Sequence, residues 1–137
     1  MEIKDSKFYR DKCYINGEWV NADSGETISV NNPANLKEIG TVPKCGTSET
    51  RNAIEAANNA WPEWRAKSAR QRSEILRKWF DLMIENKEEL AQIMTVEQGK
   101  PINESRGEIG YGASFVEWFS EEALSLIHIS EPTRRLS

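Results

Sequence analysis

Residues 53–83, "AIEAANNAWPEWRAKSARQRSEILRKWFDLM", decide the fold class. Ile54, Ala57, Trp61 and Trp64 recur at spacings of three and four, the period of one helical face. Pro62 inside that run predicts a kink or a new turn, because proline has no N–H to donate and its ring crowds the preceding turn. Ser68 stands where an N-cap belongs, its hydroxyl able to accept from the free N–H groups of a first turn. Ile75, Leu76, Trp79, Phe80 and Met83 then mark a second helix with one apolar face. The basic residues of "RAKSARQRSEILRK" fall on the opposite side, which reads as a solvated helix face and not a phosphate site.

Working outward, Asn86-Lys87 marks a break. A third, short helix follows with Leu90, Ile93 and Met94 inward and Gly99 as its C′ residue. Pro101, at an N1-like position, opens a fourth helix whose stripe is Tyr111, Phe115, Trp118 and Phe119. Towards the N-terminus, Thr47 or Ser48 supplies the cap of the first helix. Before it lie β signals. Asn16-Gly17 sits between Tyr14-Ile15 and Trp19-Val20 as a two-residue type I′ hairpin requires. Thr27 to Asn31 reads as a strand stopped by Asn32-Pro33, and "EIGTVPKC" as a weaker one. The expected chain is mostly α-helical, about four helices with short N-terminal β-strands. The apolar faces of its later helices are wide enough to imply a partner surface.

Composition narrows the class without naming a chemistry. The 137 residues are 29% charged and 38% hydrophobic, the balance of a folded domain. A net charge of -4 argues against nucleic acid or an anionic membrane as partner. No apolar run approaches the ~18 residues of a membrane span. The charged start "MEIKDSKFYRDKC" is unlike a secretory signal, and two cysteines without one suit a reducing compartment, so a cytoplasmic location is expected.

Each candidate for chemistry has a plainer reading. Cys45 follows Lys44 and precedes a helix N-terminus, surroundings that lower a thiol pKa, but it lacks a base, and a structural thiol is the better reading. Cys13 opens a strand and has less support still. His128 is the only histidine, and one histidine makes neither a metal site nor a triad. Gly107, Gly110 and Gly112 run G-x-x-G-x-G inside a helical pattern, the wrong order and place for a dinucleotide loop, and read as close helix packing. Glu88-Glu89 and Glu121-Glu122 lack metal-ligand spacing. No catalytic, cofactor-binding or metal-ligating residue is assigned in this chain.

The segments "YINGEWV", "NPAN", "GTVPKCG", residues 53–83, "EQGKP" and "EIGYGASFVEWFSEEA", in that order, resemble the N-terminal region of the aldehyde dehydrogenase superfamily, and the last resembles its succinate-semialdehyde dehydrogenase branch. The resemblance covers Met1 to Ala123. It implies an α/β enzyme several times longer, in which a cysteine thiolate attacks the aldehyde and hydride passes to NAD or NADP. A glutamate-activated water then releases the acid, with an asparagine side chain and a backbone N–H holding the oxyanion. The family's P-W-N-F-P, E-L-G-G and G-Q-x-C stretches, which carry those groups, do not occur here. By the same resemblance, residues 1–123 are the N-terminal part of a cofactor-binding domain whose NAD(P) site lies elsewhere. The intact enzyme would take a small semialdehyde and form an oligomer of like chains. Some relatives hold a monovalent cation near the N-P turn, at positions matching Val30, Asn31 and Glu97, with a further ligand outside this stretch, so no site is assigned.

The end of the chain breaks the pattern. By resemblance the fourth helix should run past Ala123 towards a strand; instead it meets "LSLIHISEPTR". Back-translated with plausible codons, these residues match a transposon-end adapter used in sequencing libraries, so residues 124–137 are expected to be a non-native tail. The plainer alternative is a divergent C-terminus, for example a strand with Leu124, Leu126 and Ile129 outward. Two functional readings result: an inactive piece of a semialdehyde dehydrogenase, or a stand-alone helical interaction module without enzymatic activity.

Overall fold

Asn16 and Gly17 both take positive φ, 53° and 82°, and turn strand β1 (Cys13–Ile15) into β2 (Glu18–Val20) as the type I′ reading requires. Tyr14 pairs directly with Trp19, and their rings lie 5.1 Å apart. The computed structural model describes the backbone of residues 2–134 and the side chains of residues 2–125. Strand β3 (Thr27–Asn31) pairs antiparallel with β4 (Glu38–Pro43) in a second two-stranded sheet, with a bulge at Val30/Asn31. The "EIGTVPKC" strand is therefore real, and its partner supplies the stability that its own sequence lacks. Asn32 shapes the intervening turn: its Oδ1 accepts from the Ala34 N–H at 2.9 Å, and its own N–H donates to the Lys37 carbonyl at 2.9 Å.

Four helices follow: α1 (Thr47–Ala66), α2 (Ala69–Glu85), α3 (Lys87–Gln98) and α4 (Ile102–Arg134). The cap of α1 lies one residue before the expected positions. Gly46 holds the N-cap position, its carbonyl accepting from the Thr50 N–H at 3.1 Å. Neither Thr47 nor Ser48 is the cap, because Glu49 at the third helical position reaches back to the Gly46 N–H at 2.9 Å. Helix α1 also runs on through Pro62 without a new start. Ser68 caps α2 in a full capping box, accepting from the Gln71 N–H while its own N–H donates to Gln71 Oε1 at 2.8 Å. Asn86 caps the other end through Nδ2 to the Leu82 carbonyl. Gly99 ends α3 at φ 70°, as the C′ reading expected. Pro101 lies just outside α4, one position before the expected N1 place.

The chain divides into two units. The first holds the chain up to Pro62 together with Gln92–Pro101. In it, Ala53 and Ala56 are half-buried while Ile54, Ala57 and Trp61 are exposed, so these three members of the stripe expected of α1 are turned outward; the fourth, Trp64, is half-buried. Leu90, Ile93 and Met94 of α3 are half-buried, as expected. The second unit holds Glu63–Ala91 and the chain from Ile102 onward, and its main contact is α2 against α4.

That contact is made of small residues. Ser73 of α2 is buried against Ser120 of α4, their hydroxyl oxygens 3.3 Å apart, and Ser120 donates to the Ser73 carbonyl at 3.2 Å. Ser105 and Ala113, on the same face of α4, are wholly buried. Leu76, Phe80 and Met83 of α2 are half-buried, but Ile75 and Trp79, expected beside them, point outward. The aromatic stripe of α4 is turned out as well: Tyr111 is 67% and Trp118 62% exposed. The physical reason is geometric. Serine and alanine let two helix backbones approach closely, which leaves no room between them for rings. Arg77 straddles the contact, 3.3 Å from Glu117 and 3.4 Å from Asp81.

Helix α4 continues to Arg134, beyond Ala123, where a change of character was expected, and no strand forms over Leu124–Ile129. Residues 124–131 contain no glycine or proline, so nothing in their backbone stops propagation of the helix. The last residues of the tail, 135–137, and all side chains from 126 lie outside the described residues.

Two substitutions separate these packing statements. Ala113→Leu forces a large side chain into a filled seam and is expected to cost about 1–3 kcal/mol, read as faster amide exchange in both α2 and α4. Phe115→Ser, on the outward face, is expected to change stability by less than about 0.5 kcal/mol. Gly99→Ala is expected to be destabilising for two reasons. Its φ costs an L-residue roughly 1–2 kcal/mol, and an added Cβ would lie 2.8 Å from Pro33 Cγ.

Candidate functional site

The densest polar cluster sits at the head of α1. Glu49 is buried there, and its carboxylate gathers donors from two directions. The Asp23 N–H, in the loop after β2, donates to Oε1 at 2.6 Å, and the Gly46 N–H donates to Oε2 at 2.9 Å. Ser48 Oγ lies 2.7 Å from Asp23 Oδ2 and 3.1 Å from Glu49 Oε2, so its single proton serves one or the other. Hydrogen bonds from the backbone N–H groups of Asp23, Glu49 and Gly46 pull the Glu49 carboxyl down to about 2. The helix N-terminus favours the same ionised form. This carboxylate has its acceptor positions filled by its own chain, which makes it a structural clamp rather than a general base.

Cys45 borders this cluster. Its Sγ is 3.6 Å from Cys13 Sγ, and both thiols are half-buried and free. Burial first, then the hydrogen bond to Cys13 and the charges of Cys13, Glu49 and Asp23, push the Cys45 thiol above its ordinary range. The lowering that Lys44 and the helix terminus suggested does not occur, because the nearest charges are carboxylates and Lys44 pairs with Glu26 at 3.5 Å. Cys45 is thus a thiol whose ionisation these surroundings disfavour.

The other candidates resolve individually. Gly107, Gly110 and Gly112 all lie inside α4. A Cβ at Gly110 would come within 3.3 Å of the mobile end of Lys87, at Nζ, and one at Gly112 would make only ordinary contact with Met83 Cε at 4.0 Å, so neither position requires glycine for packing. A Cβ at Gly107 would meet nothing, so packing gives that glycine no role. Among the basic residues, Arg72 donates to the Lys67 carbonyl at 2.6 Å and Arg77 is held by carboxylates, so neither is offered to a phosphate. Glu88 forms a two-point pair with Arg106, at 2.7 and 2.8 Å. Glu121 lies 3.7 Å from Arg77. His128 lies outside the residues whose side chains are described.

Val30 and Asn31 flank the β3 bulge, and Glu97 is exposed in the last turn of α3. The fold brings those regions together: the backbone at Gly99 packs on Pro33, and Asn32 and Val96 line one shallow cavity of about 290 Å³. Among the described residues, no three His, Cys, Asp or Glu side chains gather as metal ligands, and no helix is long and apolar enough to cross a membrane.

The aldehyde dehydrogenase family model matches residues 19–134. This chain belongs to the aldehyde dehydrogenase family. It is 61% identical over 123 residues to the glutarate-semialdehyde dehydrogenase of Pseudomonas putida, covering 90% of this chain and 26% of that one. It is 56% identical over 122 residues to the NADP(+) succinate-semialdehyde dehydrogenase of Escherichia coli, covering 89% and 25%. The crystal structure of succinate-semialdehyde dehydrogenase from Burkholderia pseudomallei superposes with a TM-score of 0.84 at 55% identity, over 87% of this chain and 25% of that one. The chain therefore spans about a quarter of the length of the relatives it matches.

Members of this family use NAD or NADP, and the residues described here do not fit such a cofactor. Both sheets are two-stranded and antiparallel, whereas a dinucleotide site needs a parallel strand, a glycine turn and a helix start in sequence. The three clustered glycines are interior to a helix, where the backbone N–H groups are already committed to the helical ladder.

A titration checks the site's electrostatics. With a folded pKa depressed from 4.5 to about 2, Glu49 contributes stability above pH 4.5 that is lost as pH falls through that window. Carboxyl chemical shifts followed against pH are expected to show Glu49 ionising near 2, with the Asp23 amide moving in step. Glu49→Gln is expected to abolish the Asp23 response.

Proposed function

We propose that this chain is the N-terminal scaffold segment of an NAD(P)-dependent semialdehyde dehydrogenase that oxidises succinate semialdehyde to succinate, with glutarate semialdehyde as the alternative substrate. The observation that carries the reading is the 55–61% identity to semialdehyde dehydrogenases in a chain that covers a quarter of their length. Its strongest physical support is the set of large apolar side chains left in water, including Trp61, Trp79, Phe115 and Trp118. A monomeric soluble protein rarely leaves so many rings uncovered on successive helices. In this reading those faces pack on the rest of the enzyme, which supplies the nucleophile, the base and the cofactor sheet. Residues 1–123 are the family segment, and residues 124–137 are a tail of foreign origin, although the family match and helix α4 both extend past Ala123. The intact enzyme works in the cytoplasm as an oligomer.

The chain alone is expected to be inactive. Purified protein mixed with succinate semialdehyde and NAD or NADP should form no reduced cofactor above background. Residues 1–123 joined to the remaining length of a succinate-semialdehyde dehydrogenase should turn over. Cofactor reduction by the short chain itself would contradict the assignment, and so would a joined chain that folds and binds cofactor but prefers an aldehyde without a carboxylate.

A further inference from the structure

Cys13 and Cys45 are 32 positions apart in sequence, yet their sulfurs lie 3.6 Å apart. Nothing in the scaffold's packing requires two thiols to meet there. We propose that Cys13 and Cys45 are a redox modification site: they form a reversible intramolecular disulfide that fastens the β1–β2 hairpin to the entry of α1.

Three structural features carry this. The separation is short: bringing the sulfurs to the bonded distance of about 2.05 Å needs a shift of an ångström or two. The positions are permissive, since Cys13 is the first residue of β1 and Cys45 lies in the loop between Pro43, the end of β4, and Thr47, the start of α1. A small movement at element ends leaves both strand ladders and the first turn of α1 intact. The thiols are accessible, both half-buried rather than enclosed. Each thiol's neighbour here is the other thiol, so bond formation replaces that contact without stranding a buried donor. Metal capture by the pair is disfavoured because no third ligand joins it among the described residues.

The oxidant is a low-molecular-weight disulfide of the glutathione class. The thiolate of one cysteine attacks a sulfur of the external disulfide, forming a mixed disulfide while the external S–S bond breaks. Its electron pair leaves on one external thiolate, which takes up the proton released by the cysteine. The second cysteine, as thiolate, attacks the protein sulfur of the mixed disulfide and expels the second external thiol. Two protein thiols are oxidised, one external disulfide is reduced to two thiols, and excess external thiol reverses both steps.

The full chain, at micromolar concentration in a series of reduced and oxidised glutathione mixtures, is alkylated and weighed. The expected product is monomeric, lighter by two hydrogens, with both thiols lost together and one crosslinked peptide joining Cys13 to Cys45. The effective concentration of the pair should be about tenfold or more higher in buffer than in concentrated urea, because the fold holds the sulfurs together. Cys13→Ser and Cys45→Ser should each stop at the mixed disulfide, and this readout holds whether or not the variants keep full stability. Equal effective concentrations in buffer and urea would overturn the proposal, as would two thiols that stay alkylatable or a product made only of crosslinked dimers.

Discussion

The close approach of α2 and α4 governs what the rest of the chain does with its hydrophobic residues. Ser73 and Ser120 meet between them, with Ala113 buried on the same face of α4, and side chains this small suit such a seam. A seam of this kind is specific, held by hydroxyl-to-carbonyl bonds and dispersion, but it buries little apolar area. At ~25 cal/mol per Å², burial of a ring or a branched aliphatic contributes about 1.5–3 kcal/mol, and here that gain is largely unrealised. The aromatic residues of α4 instead meet each other, as in the edge-on pair Tyr111–Phe115 at 4.8 Å. In the proposed reading, these open faces pack on the remainder of a dehydrogenase.

Polar clamps fix the turns and the helix start of the first unit. Glu49 ties the loop after β2 to the head of α1 through backbone N–H groups, and Asn32 does the same within the β3–β4 turn. Such clamps set geometry without needing a large core. The acceptor positions of the carboxylate at the head of α1 are filled in this way by the chain's own donors. Burial and the same acids disfavour ionisation of Cys45 beside it.

Much of this was legible in the sequence because local rules fix it. Asn16-Gly17, the Ser68 cap, the Asn86 break and Gly99 act over a few residues, so backbone preference alone places them. Helix faces were less legible. Ile54, Ala57 and Trp61 have perfect helical spacing, yet spacing marks an apolar stripe and does not say which neighbour is present to cover it. The true seam of α4 carried its own signal, small residues at 105, 113 and 120, masked by the louder aromatic stripe. The Glu49 clamp and the meeting of Cys13 with Cys45 depend on how distant segments fold back, which no local pattern encodes. The absence of the family's catalytic stretches was readable directly, and it set the limit on function.

The central claim is that the bulky faces of these helices are open to solvent because their covering surface belongs to the rest of the enzyme. Hydroxyl-radical footprinting of the purified chain, resolved by residue, tests it most directly. Tyr111, Trp118 and Trp79 should oxidise at rates close to those of the unfolded chain, while Leu76 and Met83 on the inner face of α2 should be slower. Strong protection of those three rings in the monomer would mean that the chain covers its own faces, and the scaffold account would fail.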